Sequence, residues 1–312
     1  MIPVVDLAGP DRESSIASAC ATSGFFTIRN HGIDAALLAD AWADARAFFD
    51  RPPSDKSEVA MPRPGYPYGW SPIAGETLSR SMGDLAPPDR KESFAIGPVR
   101  PATHDIVDPD EEFAWSPNLW PSTPPSLRAS WTARYEVMSS LAARLLSLMA
   151  EALHLPSDHF EPMIDRHTSA MRALNYPGLS DSAVPVHDGQ LGASAHTDYG
   201  TLTILETDPE QPGLQVRSGS DWVDVQPLPG DLVVNLGDAM ERWTNDRWKS
   251  TLHRVTIPRG RRQSIAFFHN ANWDAVIECL PSCLEKGESP RHSPIAAGPH
   301  LMQKFRSTVD HY

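Results

Sequence analysis

Between residues 171 and 269 the chain is cut into short strand-like runs: 171–176, 201–205, 214–217, 222–225, 232–236, 251–257 and 263–269. Turn residues stand between them, among them Asp208-Pro209, Ser218-Gly219 and Pro258-Arg259-Gly260. Parallel strands need long crossovers, usually helical, and the gaps here lack a helical repeat. Regularly spaced strands joined by turns fold instead as antiparallel layers, and the spacing predicts a double-sheet jelly roll. The fold expected is mainly β with flanking helices. A double-stranded β-helix core carries an N-terminal α/β flank and one long helix.

That long helix is expected over 126–153. Leu127, Trp131, Tyr135, Met138, Leu141 and Leu145 recur at three- and four-residue spacing, and Pro156 closes the run. One broad apolar face on a long helix needs a sheet to lie against. Upstream, 2–7 and 25–28 read as short strands around a helix at 11–22. Asn30-His31-Gly32 is a turn, with His31 a turn residue rather than a ligand. Asp34 caps a helix whose Leu38, Trp42, Ala45 and Phe49 form a core stripe, and Arg51-Pro52-Pro53 ends it.

Residues 61–72 are too rich in proline for a regular element, and the irregular run is expected to continue to Gly97. A loop this long is either disordered or a functional lid. Its aromatics Tyr66, Tyr68 and Trp70 either line a pocket or pin the loop to the core; the sequence leaves both open. Beyond Pro281 a terminal helix is expected at 302–309. The division expected is an N-terminal region with an irregular pocket-lining loop (1–125), a backing helix (126–160), a jelly-roll core (161–275) and a C-terminal tail (276–312).

Composition removes several function classes. A formal net charge of −13 without a basic stripe argues against nucleic acid and anionic membranes as partners. No segment is apolar for long enough to span a bilayer, and the N-terminus lacks the basic and apolar runs of a secretory signal. Cys20, Cys279 and Cys283 fit neither a disulfide framework nor a four-cysteine zinc site. A cytoplasmic protein with a small-molecule partner is expected.

Within the strands three chemical groups stand out. His196 and Asp198, two apart, share a face if the stretch is extended, and His253 lies on a later alternating strand. Two histidines and one carboxylate on one side of a metal leave coordination positions open. About ten residues on, Arg262-Gln263-Ser264 puts a guanidinium and a hydroxyl on one strand face, a pair suited to a carboxylate. At that distance the combination implies a dicarboxylate with one end on the metal and the other on Arg262.

These residues carry a resemblance. The run from His196 to Phe268 resembles the core of the iron(II)/2-oxoglutarate-dependent dioxygenases, in the isopenicillin N synthase-like branch. Asn235-Leu236-Gly237-Asp238 and Ser250-Thr251-Leu252-His253-Arg254-Val255 are similar to that core. The opening Ile2-Pro3-Val4-Val5-Asp6-Leu7, Gly24-Phe25-Phe26, Asn30-His31-Gly32-Ile33, Gly75-Glu76 and Lys91-Glu92-Ser93-Phe94 resemble the branch's N-terminal domain. The resemblance implies His196, Asp198 and His253 as ligands of Fe(II), and Arg262 and Ser264 as the clamp for 2-oxoglutarate. Tyr176 matches a tyrosine that supports the same carboxylate, although Leu174-Asn175-Tyr176-Pro177 departs from the family's Tyr-Tyr-Pro after asparagine. Strand parity adds Arg172 and Phe268 as substrate contacts, with core packing the alternative for Phe268.

The implied reaction consumes O2 and 2-oxoglutarate, forms a ferryl species and ends in hydroxylation, desaturation or ring closure of a small molecule, as in natural-product biosynthesis. Two alternatives remain. One is an oxidase without 2-oxoglutarate, like isopenicillin N synthase or aminocyclopropane-carboxylate oxidase. The other is a non-catalytic binding protein on the same fold. A zinc hydrolase is disfavoured because no His-Glu-x-x-His helix is present.

Overall fold

The structure, a computed structural model, describes residues 2–63, 65–75, 77–78, 87–180 and 186–308. In chain order its strands are β1 (Val4–Asp6), β2 (Phe25–Arg29), β3 (Gly69–Ser71), β4 (Glu92–Ile96), β5 (Ala170–Tyr176), β6 (Ala193–His196) and β7 (Leu202–Thr207). They continue as β8 (Leu214–Ser218), β9 (Asp221–Asp224), β10 (Leu232–Leu236), β11 (His253–Val255), β12 (Arg262–His269), β13 (Val276–Ile277) and β14 (Ile295–Ala296). The helices are α1 (Arg12–Thr22), α2 (Ala35–Phe49), α3 (Pro53–Lys56), α4 (Glu111–Ala114), α5 (Leu127–Ala152), α6 (Glu161–Ile164), α7 (Asp238–Trp243) and α8 (Ala297–Thr308).

Two sheets form the jelly roll without closing into a barrel. The larger has the order β1-β2-β10-β7-β12-β5-β4-β3, and the smaller β6-β11-β8-β9. The central pairs of the large sheet, β5–β12, β12–β7 and β7–β10, are all antiparallel. A small apolar cluster that includes Phe25, Leu174, Val216 and Val255 lies inside the jelly roll. The main cluster lies on the other side of the large sheet, under α1, α2 and α5.

The long helix is where its periodicity put it. Trp131 is fully buried and donates its indole N–H to the Ala41 carbonyl in α2 at 3.1 Å. Arg134 is buried too, and its guanidinium meets Glu206 of β7 at 2.5 Å. Helix α5 is thereby tied to a neighbouring helix on one side and the sheet on the other. Asp34 caps α2 as expected, its Oδ1 accepting from the Ala36 N–H at 2.9 Å. His31 is a turn residue: its Nδ1 accepts from the Ile33 N–H, and its Nε2 meets the Gly230 carbonyl.

The region 61–97 departs from the expectation of an irregular run. Strand β3 fits between Pro67 and Pro72 and takes the sheet edge, where few donors are needed. Strand β4 is buried along its whole length and pairs with β3 and β5. A glutamate in mid-strand hides it in the sequence. Glu92 is buried because Lys56 (2.6 Å), the Trp70 indole (2.8 Å) and the Asn175 amide (2.8 Å) all donate to it. Trp70 therefore pins the loop to the core.

Smaller corrections concern β6, which was not anticipated, and β11, which spans only three residues beside a register shift at His253 and Val255. Helix α8 starts at Ala297, upstream of the expected 302, because a proline is tolerated in a first turn and Pro299 does not block it. Glu76, residues 79–86 and Val309, all within stretches singled out above, lie outside the described residues.

Candidate active site

Strand pairing puts the site together. On β5 and β12 the paired positions Tyr176 and Arg262, Leu174 and Ser264, Arg172 and Ala266, Ala170 and Phe268 stand opposite one another. All eight line one cavity of about 250 Å³ in the jelly roll. The alternation expected from strand parity therefore holds, and Arg172 faces inward, as does Phe268. On the opposing sheet, β6 pairs with β11 so that His196 and His253 are direct partners, their ring centroids 4.3 Å apart. Asp198 follows β6 in the loop that leads to β7.

The donor atoms converge. His196 Nε2 and His253 Nε2 lie 4.0 and 3.8 Å from Asp198 Oδ1, and the three lie within 4.8 Å of one another. Each imidazole is oriented by its other nitrogen: His196 Nδ1 donates to the Ser194 carbonyl at 2.7 Å, His253 Nδ1 to that of Thr251 at 3.1 Å. With Nδ1 protonated, the Nε2 lone pairs face Asp198, as a metal ligand requires. Burial, with His253 close by, pushes His196 down to about 4, so its imidazole is neutral at pH 7. Burial pushes Asp198 up, but His253, His196 and two hydrogen bonds outweigh it and hold the carboxyl below its usual range.

Those two hydrogen bonds were not foreseen from the sequence. Thr203 Oγ1 and Asn235 Nδ2 both donate to Asp198 Oδ2, at 2.5 and 2.6 Å. Both are buried and directly paired across β7 and β10. With Oδ2 occupied, Oδ1 is the oxygen presented to an ion. The loop is set by backbone contacts with the start of α7: Asp238 N–H to Asp198 O at 2.8 Å, and Ala239 N–H to Gly200 O at 3.1 Å. A Cβ on Gly237 would sit 2.2 Å from the Gly200 carbonyl oxygen, so only glycine permits this approach.

Farther into the cavity Arg262 is buried, at 1% exposure. Its Nη2 donates to Thr207 Oγ1, and its guanidinium lies 5.0 Å from the centre of the Tyr176 ring. Burial lowers its pKa, but a guanidinium stays charged. Its Nε and Nη1 have no acceptor among the described residues. Two orphaned N–H groups on a buried cation call for an anion, and Ser264, facing the same cavity, adds a hydroxyl. Two imidazoles and one carboxylate on one side of an open cavity suit non-haem Fe(II). The donor set and the orphaned arginine thus fit an iron and a dicarboxylate together. Thr203, Thr207 and Asn235 are the functional positions that sequence reasoning missed. Strand alternation through β7 and β10 was the available signal.

Comparison with known proteins agrees with this geometry. Residues 168–271 match the 2OG-Fe(II) oxygenase superfamily, and residues 2–123 match the non-haem dioxygenase in morphine synthesis N-terminal family. The chain is 35% identical over 288 residues to the 2-oxoglutarate-Fe(II) type oxidoreductase hxnY of Emericella nidulans, covering 90% of this chain and 80% of that protein. It is 34% identical over 283 residues to the proline hydroxylase buaE of Petromyces alliaceus, covering 86% and 84%. A full-length Neurospora crassa protein solved in complex with alpha-KG superposes with a TM-score of 0.84 at 27% identity, covering 98% of this chain and 96% of that one.

Proposed function

Since the chain belongs to the 2OG-Fe(II) oxygenase superfamily, we propose that His196, Asp198 and His253 hold its Fe(II), and that Arg262 and Ser264 hold the distal carboxylate of 2-oxoglutarate with Tyr176 under the guanidinium. The protein is a 2-oxoglutarate- and Fe(II)-dependent dioxygenase acting on a small molecule. The observation that carries the residue assignment is the buried Arg262 guanidinium, with two unsatisfied N–H groups on the same cavity as the triad.

When bound, the iron and 2-oxoglutarate supply an oxidant from O2, with succinate and CO2 as co-products and hydroxylation, desaturation or ring closure of the substrate as outcomes. The protein's part is orientation and exclusion of water. His196 and His253, each with Nδ1 held by a backbone carbonyl, turn their Nε2 atoms toward the metal position. Thr203 and Asn235 keep Asp198 turned toward the metal. Arg262 fixes the cosubstrate's far end, so that its keto-acid end is delivered to the triad in one pose. Arg172 and Phe268 are assigned as substrate contacts on the interior face shared with Tyr176 and Ser264. A natural-product substrate and a cytoplasmic location complete the reading, the latter supported by the three free cysteines. Among the described residues no helix is long and apolar enough to cross a membrane.

The test is anaerobic addition of 2-oxoglutarate to the Fe(II)-loaded protein. The expected result is a weak visible charge-transfer band that disappears in Arg262→Ala and in His196→Ala. Oxygen uptake that proceeds without 2-oxoglutarate and yields no succinate would replace this reading with the oxidase one.

A further inference from the structure

We propose that the substrate is a flat organic acid of one or two rings, its ring held in an aromatic outer chamber and its carboxylate on Arg172. The inference deepens the oxygenase reading above and rests on it.

The outer chamber is assembled from segments far apart in sequence: Tyr66 and Tyr68, Phe113 in α4, and Leu301 and Phe305 in α8 all line the cavity. The tyrosine hydroxyls are already committed. Tyr66 Oη donates to the Pro117 carbonyl and Tyr68 Oη to that of Ala114, each at 2.5 Å. These residues therefore offer the cavity ring surface and no polar handle. Their rings stand at 87° to one another, with centroids 6.5 Å apart. Phe113 and Phe305 pack on one another in the same lining, with centroids 4.6 Å apart.

The chamber is built rather than incidental. A Cβ on Gly97 would lie 2.0 Å from the Tyr68 ring, so glycine there is what lets Tyr68 reach Ala114. Helix α8 is fastened on both sides, by Arg306 to Asp110 at 2.6 Å and by Lys304 to Asp238 at 2.8 Å. Aromatic walls without donors or acceptors favour a flat ring, through stacked or edge contacts, over a polar or branched body.

Arg172 supplies the polar end. On β5 it stands between Ala170 and Leu174 on the interior face, and its partner on β12 is the small Ala266. A guanidinium carries five N–H donors in a planar fork, so a protein neighbour does not exhaust it, and the fork matches a carboxylate. The apolar Leu174 and Leu205 line the same cavity and limit screening by water. The volume of about 250 Å³, shared with the cosubstrate, limits the substrate to one or two rings.

The experiment uses the full chain loaded anaerobically with Fe(II) and 2-oxoglutarate. Benzoate, 2-naphthoate, their primary amides and cyclohexanecarboxylate are titrated while tryptophan fluorescence and the charge-transfer band are followed. The flat acids are expected to bind at least about tenfold more tightly than the amides, which lack the charge, and than the saturated acid, which lacks the flat face. Arg172→Gln should erase the preference of acid over amide. Phe305→Ala should weaken 2-naphthoate by about tenfold. Gly97→Ala should do likewise by displacing Tyr68. The 2-oxoglutarate band reports whether each variant is folded and loaded.

Amides or cyclohexanecarboxylate binding as tightly as the flat acids would overturn the proposal, as would no binding of any probe to protein that shows the band. The oxygenase reading would survive those results. Absence of the band in the wild-type protein would instead overturn both readings.

Discussion

Removing the two donors that hold Asp198 should loosen the metal without touching a ligand. Asn235 Nδ2 and Thr203 Oγ1 reach the same oxygen, Asp198 Oδ2, at 2.6 and 2.5 Å in a buried setting. A hydrogen bond to a charged group contributes about 1.5–3 kcal/mol. Losing one lets the carboxylate rotate, because the other fixes only a single direction. The expected loss of metal affinity is roughly 10- to 100-fold for Asn235→Ala, the range for orienting partners of metal ligands. That corresponds to about 1.4–2.7 kcal/mol, close to the strength of one such bond. Thr203→Val should behave similarly, since it keeps the shape and removes the donor. Thr203→Ser, which keeps the hydroxyl, should restore most of the affinity.

The assay is anaerobic titration with Fe(II), or with Co(II), whose visible spectrum reports ligand geometry directly. Circular dichroism serves as the folding control. The double variant Asn235→Ala/Thr203→Val should lose more than either single variant. A folded double variant that binds metal within about twofold of wild type would refute the idea that these side chains orient the carboxylate.

Three further outcomes are expected. Arg262→Ala should weaken 2-oxoglutarate by roughly 2–5 kcal/mol, the range for truncating one partner of a buried charge pair, and Arg262→Lys should recover only part of it; full recovery by lysine would show that the two-pronged geometry is irrelevant. Burial holds His167 down to about 4, so the folded protein keeps it neutral while the unfolded chain protonates it near 6.5. Stability should therefore fall as pH drops from about 6.5 toward 4, with a smaller slope in His167→Gln, measured as Tm against pH; identical slopes would remove His167 as a cause. Gly237→Ala should lower both Tm and metal affinity, because the added Cβ would lie 2.2 Å from the Gly200 oxygen and push the Asp198 loop away; unchanged metal binding would show that the loop absorbs the shift.

Local pattern was enough for much of this protein. Strand alternation placed Arg172 on the face of Tyr176, and Phe268 on the face of Arg262 and Ser264, because a two-residue period is a property of the strand itself. Helix α5 followed from its apolar spacing, and the cap of α2 from Asp34, for the same local reason. The His-x-Asp and the later histidine were legible as a candidate ligand set, a weak signal by residue type that the family resemblance made specific. Tertiary structure decided what depends on pairing. The partnering of His196 with His253 across β6 and β11 turns two distant segments into one donor set. The Thr203–Asn235 pairing across β7 and β10 occupies one oxygen of Asp198 and leaves the other for a metal. Strand β4 exists because Lys56, Trp70 and Asn175 converge on Glu92, a buried charge no local pattern predicts. The outer chamber forms because α4 and α8 are packed together over a cavity neither one borders in sequence. Periodicity tells which face a residue takes; only the packed chain determines what stands opposite it.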